Sequence, residues 1–283
     1  MMRNFIKKII FFCLYRIKIN GIVFRLKDKI NFKCRPLANF KNKVVIVSTH
    51  SDDESIGCGA MIAKNGGDNF EFTLITEPTE VKLKEKRYQE LDQALLTITG
   101  KQIPVEKLFF EDGKLKNSQD ELYETLRTFV VDNNVRVAFV NSIFDFHSDH
   151  RAAGLATIKL LTNGVLDEVY LYFTNHPIYF PLINSYIGFN REVEICKFNA
   201  LKAFKTQTDL NFSGLKILNQ LNAELLDIDD IGAELFIRVD RDNYKLVMEH
   251  YNNVSGILDE HECNKSTVHP FTFDKNILFW TSN

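Results

Sequence analysis

The stretch VVIVSTHSDDESIGCGAMIAK, Val44–Lys64, decides the fold. Its first six residues are mostly β-branched and predict a buried strand, whereas residues 55–64 have the spacing of a helix that the following NGG ends. Four polar residues that could bind a cation lie between the two elements: His50, Asp52, Asp53 and Glu54. Adjacent carboxylates repel one another, and an apolar strand leaves them little water. The grouping therefore makes physical sense if a cation binds there.

Strand-like and helix-like segments alternate along the chain from this point. Strands are predicted at residues 44–49, 70–76, 106–111, 135–141 and 168–173. Helices are predicted at residues 55–64, 79–99, 119–133 and 150–162. This order predicts an α/β fold, a Rossmann-like three-layer arrangement with a mostly parallel sheet and helices on both faces.

The pattern is weaker after Pro181. It indicates helices at residues 192–207 and 217–226 and a strand at 233–239. No internal repeat or linker interrupts the sequence. We therefore predict one domain over residues 43–283, preceded by an arm over residues 1–42.

A second polar cluster, DFHSDH, spans Asp145–His150 and follows the fourth predicted strand. The first cluster follows the first predicted strand. Ligands of such folds bind beyond the carboxyl ends of the strands. Because parallel strands end at the same edge of a sheet, we expect the two clusters to meet.

The two clusters together offer a metal site with a base beside it. A catalytic Zn²⁺ takes three protein ligands and keeps one position for water. His50 and Asp53 are three residues apart, and so are the histidines of the second cluster, of which one would complete the site: His147 or His150. Asp52 is left over as a base for the attacking water. Each cluster alone could instead cap a helix, but two clusters at equivalent strand ends favour the metal site.

Two other readings of this region are weaker. The glycines of Gly57–Ala60 vaguely resemble a phosphate-binding loop, but their spacing is incomplete and the preceding acids would repel a pyrophosphate.

Cys58 is best explained as a small packing residue. The five cysteines are odd in number and form no C-x-x-C pair, which indicates reduced thiols in the cytoplasm and no thiolate-rich zinc site.

Both clusters resemble the motifs of one enzyme family. THSDDESIGCGA is similar to the A-H-P-D-D-E-x-x-G-C-G-G signature of the PIG-L/LmbE family of zinc-dependent N-acetylglucosaminyl deacetylases, and DFHSDHRAAG is similar to its H-x-D-H-R-x-x-G motif. Weaker similarities follow in the same order, in KRYQELDQAL and KFNALKAFKTQ. The resemblance covers roughly residues 43–240. Thr49 and Ser51 replace the usual Ala and Pro.

The resemblance implies a role for each matching residue. The zinc ligands would be His50, Asp53 and His150. Asp52 would be the general base, and His147 would face the carbonyl oxygen as an imidazolium oriented by Asp149. Arg87 matches a position that contacts the sugar. Two further residues are candidates for substrate binding: Asp145, where family members vary, and His176, which follows the fifth strand.

The implied reaction removes the acetyl group of an N-acetylamino sugar, free, nucleotide-linked or lipid-linked, and releases acetate. Two alternatives keep the same fold: a metal-dependent amidase for another small acyl amide, and a noncatalytic sugar-binding module. Asp52 disfavours the binding module, because a site that only binds needs no base beside the metal.

The charge of the chain is unevenly distributed. The formal net charge is only −2, which gives no indication of nucleic-acid binding. Residues 1–35, however, contain ten of the 35 Lys and Arg and a single acid, Asp28, around the apolar run Ile9–Tyr15. Seven apolar residues are too few to span a bilayer, which takes about 20. We expect this arm to contact the anionic inner face of a membrane or to pack on the domain, and the first case favours glycan or polysaccharide biosynthesis.

Overall fold

The computed structural model describes residues 33–37, 40, 42–67, 69–174, 178–208 and 212–260. Its strands are β1 (Arg35–Pro36), β2 (Val44–Ser48), β3 (Phe70–Glu77), β4 (Val105–Glu111), β5 (Val137–Asn141), β6 (Glu168–Tyr172), β7 (Ser185–Phe189) and β8 (Gly232–Val239). Its α-helices are α1 (Asp53–Asn65), α2 (Val81–Thr99), α3 (Gln119–Asp132), α4 (Ser148–Thr162), α5 (Arg191–Leu201), α6 (Phe212–Leu226) and α7 (Tyr244–Glu260). Short 3₁₀ turns lie at Leu115–Ser118 and Phe180–Leu182.

Within the described residues, the strands form one eight-stranded sheet in the order β1-β7-β8-β6-β5-β2-β3-β4. β8 pairs antiparallel with both of its neighbours, and the other pairs are parallel. The predicted α/β fold with a mostly parallel sheet is confirmed.

Alternating side chains of the strands enter two apolar cores, one on each face of the sheet. Val45 and Val47 pack with α3, α4 and α7, whereas Val44 and Ile46 pack with α1, α2 and α5. All four valine and isoleucine side chains are at most 1% exposed. A strand buried on both faces has no polar alternation, which explains its continuous apolar sequence.

The strand order creates a topological switch point beside β2. The chain passes from β2 outward to β3 and β4, then returns to β5 on the other side of β2. The loops after β2 and β5 therefore leave the sheet side by side, and a crevice opens between them. The two polar clusters follow these two strands.

A bulge shapes the end of the edge strand β4. Leu74 pairs with Lys107 and Thr76 with Phe110, so β4 contains one extra residue there. Phe109 has a φ of 61° and its side chain is 67% exposed. The bulge changes the register of the last residues of β4, and the loop that follows carries Asp112 toward the crevice.

The elements after residue 181 depart most from the prediction. The helix predicted to residue 207 ends at Leu201, and β7 and α7 were not predicted. Within the described residues, no helix has the length and apolar character that crossing a bilayer requires.

Candidate metal centre

The two polar clusters meet at the carboxyl edge of the sheet. His50 follows β2, Asp53 opens α1, and His150 lies in the first turn of α4. The distance from His50 Nδ1 to His150 Nε2 is 3.0 Å. Asp53 Oδ2 lies 3.4 Å from His50 Nδ1 and 3.3 Å from His150 Nε2.

Carboxylates behind the two histidines fix the orientation of each ring. Asp145 Oδ2 lies 3.0 Å from His150 Nδ1, and Asp112 Oδ1 lies 3.3 Å from His50 Nε2. The contact with Asp145 places a ring proton on His150 Nδ1, and the charge of Asp112 favours the proton of His50 on Nε2. The lone pairs of the other two nitrogens then point at each other and at the carboxylate of Asp53.

Three acceptor atoms at such short distances require a positive charge between them. Burial acts to lower the pKa of His50, but the neighbouring carboxylates of Asp112 and Asp53 raise it to about 9. Burial likewise opposes the charge on His150, but Asp53 and Asp145 raise its pKa well above the usual value. Burial acts to raise the pKa of Asp53, and the two histidines lower it. The three groups could therefore hold a cation between them, either a shared proton or a metal ion.

Asp52 directly precedes Asp53, and its charge interacts with those of His50, Asp53 and His150. It is the N-cap residue of α1, 5% exposed, and its side chain makes no capping hydrogen bond. Burial and the adjacent Asp53 raise its pKa to about 7, and the nearby positive charges, chiefly His50 and Arg87, act in the opposite direction. A buried carboxylate with a pKa near neutrality can accept and release a proton.

His147 borders the same centre. Its ring centroid is 4.6 Å from that of His50 and 4.8 Å from that of His150, and nitrogens of the three rings lie within 4.8 Å of one another. It is the N-cap of α4, and its Nδ1 accepts a hydrogen bond from the backbone N–H of Asp149. Nδ1 is thus unprotonated. Burial and the two neighbouring histidines lower the pKa of His147 to about 3.

The resemblance implied that His147 is a protonated imidazolium, and the contacts of His147 in the structure differ from that expectation. The ring is neutral, with its proton on Nε2, because Nδ1 is used as an acceptor and the N-terminus of α4 disfavours a cation. The expected orienting role of Asp149 also changes. Its backbone N–H contacts His147, whereas its carboxylate accepts hydrogen bonds from the N–H groups of Gly113 and Leu115. The Asp149 side chain therefore fixes the loop that carries Asp112.

Asp145, which was predicted to bind substrate, lies behind His150 in the structure. Asp145 is 3% exposed, and Oδ1 accepts the N–H of His147 while Oδ2 contacts His150. Both oxygens are used within the protein. Its carboxylate contacts His150 from the loop that precedes α4, and sequence spacing alone did not reveal this contact.

The other predicted substrate contacts have different outcomes. Arg87 lines a small cavity together with His50, Ser51 and Asp112, and its Nη2 donates to Gln207 Oε1. Its buried Nε and the buried Ser51 Oγ make no hydrogen bond among the described residues. His176 lies outside the described residues.

Asp112 is the residue of this centre that the sequence interpretation missed. It stands in the sequence EDG, directly after β4. An acid beyond the carboxyl end of a third parallel strand is a signal that could have identified it.

Comparisons with known proteins place the part of the chain that contains both polar clusters near one family. The model of the PIG-L family, described as GlcNAc-PI de-N-acetylase, matches residues 45–161. This part of the chain is therefore similar to the PIG-L family. The match contains both polar clusters and therefore confirms the resemblance seen in the motifs. No curated protein matches the sequence significantly.

Several solved structures share the fold at low sequence identity. The N,N'-diacetylchitobiose deacetylase of Pyrococcus horikoshii, complexed with an inhibitor, is 17% identical, with a TM-score of 0.56 over 72% of this chain and 85% of its own. A zinc-inhibited form of teicoplanin deacetylase is 13% identical, with a TM-score of 0.56 over 71% of this chain and 100% of its own.

A hydratase shares the same fold. The 4-carboxy-2-hydroxymuconate hydratase of Pseudomonas putida KT2440 is 16% identical, with a TM-score of 0.50 over 70% of this chain and 96% of its own. The fold therefore carries more than one reaction, and the function of a PIG-L domain has to be argued from its site.

Proposed function

We propose that this chain is a zinc-dependent N-deacetylase that hydrolyses the acetamide of an N-acetylamino sugar. The observation that carries the proposal is the convergence of His50 Nδ1, Asp53 Oδ2 and His150 Nε2, together with the buried Asp52 whose charge interacts with all three residues. The similarity of residues 45–161 to a family described as a GlcNAc-PI de-N-acetylase supports the substrate class.

The three acceptor atoms suit a tetrahedral zinc ion. Ligand atoms bound at about 2.0–2.1 Å in a tetrahedron lie about 3.3–3.4 Å apart. The three distances in this chain are 3.0, 3.3 and 3.4 Å. A bound Zn²⁺ would acidify a water molecule and polarise the acetamide carbonyl.

The residues of the chain supply the proton transfers. Asp52 takes a proton from the water that attacks the acetamide carbon, and His147 stabilises the developing oxyanion by donating a hydrogen bond from Nε2. Asp52 then returns the proton to the departing nitrogen as the C–N bond breaks. The products are acetate and a free amino sugar.

Acetate release from a panel of N-acetyl sugars and other acyl amides, with and without a chelator, tests the proposal. We expect release from at least one N-acetyl sugar, and we expect the chelator to abolish it. Release from acyl amides alone would favour the amidase, and turnover of none of them by zinc-loaded protein would refute the deacetylase.

Loss of the carboxylate behind His150 should weaken metal binding. We expect Asp145→Asn to lower the affinity for Zn²⁺ about 10–100-fold, the usual effect of removing an outer-shell partner of a metal-binding histidine. Competition with a chromogenic chelator measures it. Asp120→Asn is the control, because the Asp120 side chain is 96% exposed on α3. Equal affinities of both variants would show that Asp145 does not support the site.

We further propose that the basic arm brings the enzyme to an anionic membrane surface and thus to a lipid-linked sugar. Each Lys or Arg near such a surface contributes about 1 kcal/mol, and salt screens the attraction. Residues 1–32 of the arm lie outside the described residues, and β1 follows them.

Deleting residues 1–32 should abolish salt-sensitive binding to anionic vesicles and leave hydrolysis of a small soluble N-acetyl sugar nearly unchanged. The reason is that β1 and both polar clusters are kept. Vesicle sedimentation and acetate release measure the two effects. Lys82→Gln/Lys86→Gln on the exposed side of α2 is the control for general surface charge. Undiminished vesicle binding by the shortened chain would refute the membrane role.

A further inference from the structure

A buried ion pair lies against the helix that carries Asp53. Lys197 of α5 is 0% exposed and Glu234 of β8 is 3% exposed, and Nζ lies 2.6 Å from Oε1. Both residues lie outside the part of the chain that matches the PIG-L model. They take no part in the reaction described above.

The pair binds the backbone of α1 on both sides of one helical turn. Lys197 Nζ donates to the carbonyl oxygen of Ile56 at 2.7 Å. Glu234 accepts the backbone N–H of Ala60 at 2.7 Å and that of Met61 at 3.0 Å. In a regular helix the N–H of Ala60 bonds to the carbonyl of Ile56. The ammonium and the carboxylate thus bind the acceptor and the donor of the same helical hydrogen bond.

Two glycines of the GCG sequence allow this close approach. A Cβ at Gly59 would lie 3.0 Å from Lys197 Cγ, and a Cβ at Gly57 would lie 2.3 Å from a ring carbon of Tyr172. Tyr172 in turn donates to the carbonyl of Val47 at the end of β2. The glycines therefore serve close packing around the start of α1, which explains the residues that superficially suggest a phosphate-binding loop.

Stability alone explains such a pair poorly. Removing two charges from water is costly, and well-packed apolar residues in place of a buried pair are often neutral or stabilising. The contacts are instead directed at the turn that follows Asp52 and Asp53. Side chains inserted into a helical hydrogen-bond ladder change the local path of the helix.

We propose that Lys197 and Glu234 are positioning residues, which set the first turns of α1 and thereby place Asp53 against His50 and His150. This inference rests on the proposed function insofar as the placed group is a metal ligand. It assigns a role in metal affinity to two residues that contact neither metal nor substrate.

The test replaces the pair by apolar residues of similar size, Lys197→Met/Glu234→Leu. We expect the variant to fold, with a Tm equal to or above that of the wild type, and to bind Zn²⁺ about 10–100-fold more weakly, as for other outer-shell changes. Competition with a chromogenic chelator and thermal unfolding measure the two effects. Arg136→Gln/Asp167→Asn, which removes an exposed ion pair at the opposite edge of the sheet, should leave Zn²⁺ affinity unchanged.

A milder variant tests the positioning role of Lys197 and Glu234 if the double variant does not fold. Glu234→Gln keeps the volume and one acceptor oxygen, and we expect faster amide hydrogen exchange at Ala60 or Met61 together with weaker Zn²⁺ binding. Wild-type affinity in either folded variant would overturn the positioning role. Wild-type protein that binds zinc but releases no acetate would refute the deacetylase alone, whereas wild-type protein that binds no zinc would overturn both proposals.

Discussion

Asp52→Asn should lower kcat for acetate release by a factor of about 10²–10⁴ while Zn²⁺ stays bound. This range is the usual contribution of a positioned general base, and asparagine cannot accept the proton. The charge of Asp52 interacts with those of the two histidines, yet Asp53 supplies the oxygen that contacts both of them. Elemental analysis and steady-state kinetics on the same preparation measure both effects.

Two further variants make this result specific. Asp53→Ala should lose the metal together with activity, because it removes one of three ligands. Asp92→Asn, at an exposed position of α2, should change neither quantity. If Asp52→Asn lost zinc and Asp53→Ala kept it, the roles of the two carboxylates would be the reverse of those proposed.

The central part of the fold was predictable because local signals and tertiary packing agree there. β2 and β5 are short, mostly apolar runs that are buried on both faces, and α1 and α2 end at Gly66 and Gly100, which both adopt a left-handed conformation. Only glycine adopts this conformation without steric cost. The mostly parallel sheet then followed from the alternation of strands and helices.

The C-terminal elements were harder to predict because contacts distant in sequence determine them. β7 is only five residues long and contains Gly188, yet it pairs with both β1 and β8. The helix predicted to continue to residue 207 ends at Leu201, although its apolar spacing continues to Phe204. Phe204 follows the turn after α5, and its side chain is buried in the core. Its position in the sequence therefore continues the apolar spacing of a helix although the backbone there is not helical.

The site was predictable in its location but not in its outer contacts. Topology brings the ends of β2 and β5 together, so the meeting of His50, Asp53 and His150 required no side-chain detail. The partners of these residues depend on the exact direction of side chains in turns. Asp145 and Asp149 were therefore assigned to substrate and to His147, whereas their carboxylates hold His150 and the loop of Asp112.

The second cluster contains two histidines that could be the third zinc ligand, His147 and His150. Replacing each of them separately shows which one binds the metal. We expect His150→Ala to lose most of the bound Zn²⁺ and with it the activity. His150 Nε2 lies 3.3 Å from Asp53 Oδ2 and 3.0 Å from His50 Nδ1, and Asp145 holds the ring from behind. Two remaining ligands are too few for a catalytic zinc site, which uses three.

His147→Ala is the matched variant, since His147 lies at the start of the same helix with its ring 4.8 Å from that of His150. We expect it to keep the metal and to lose about 10²–10³ in kcat, the usual effect of removing one donor to an oxyanion. Elemental analysis after identical purification, followed by kinetics in buffered Zn²⁺, separates the two roles. Metal loss on replacing His147 and retention on replacing His150 would instead identify His147 as the third ligand. His147 Nδ1 would still be occupied by the N–H of Asp149, so the ligand atom would then have to be Nε2, the nitrogen here proposed to face the acetamide oxygen.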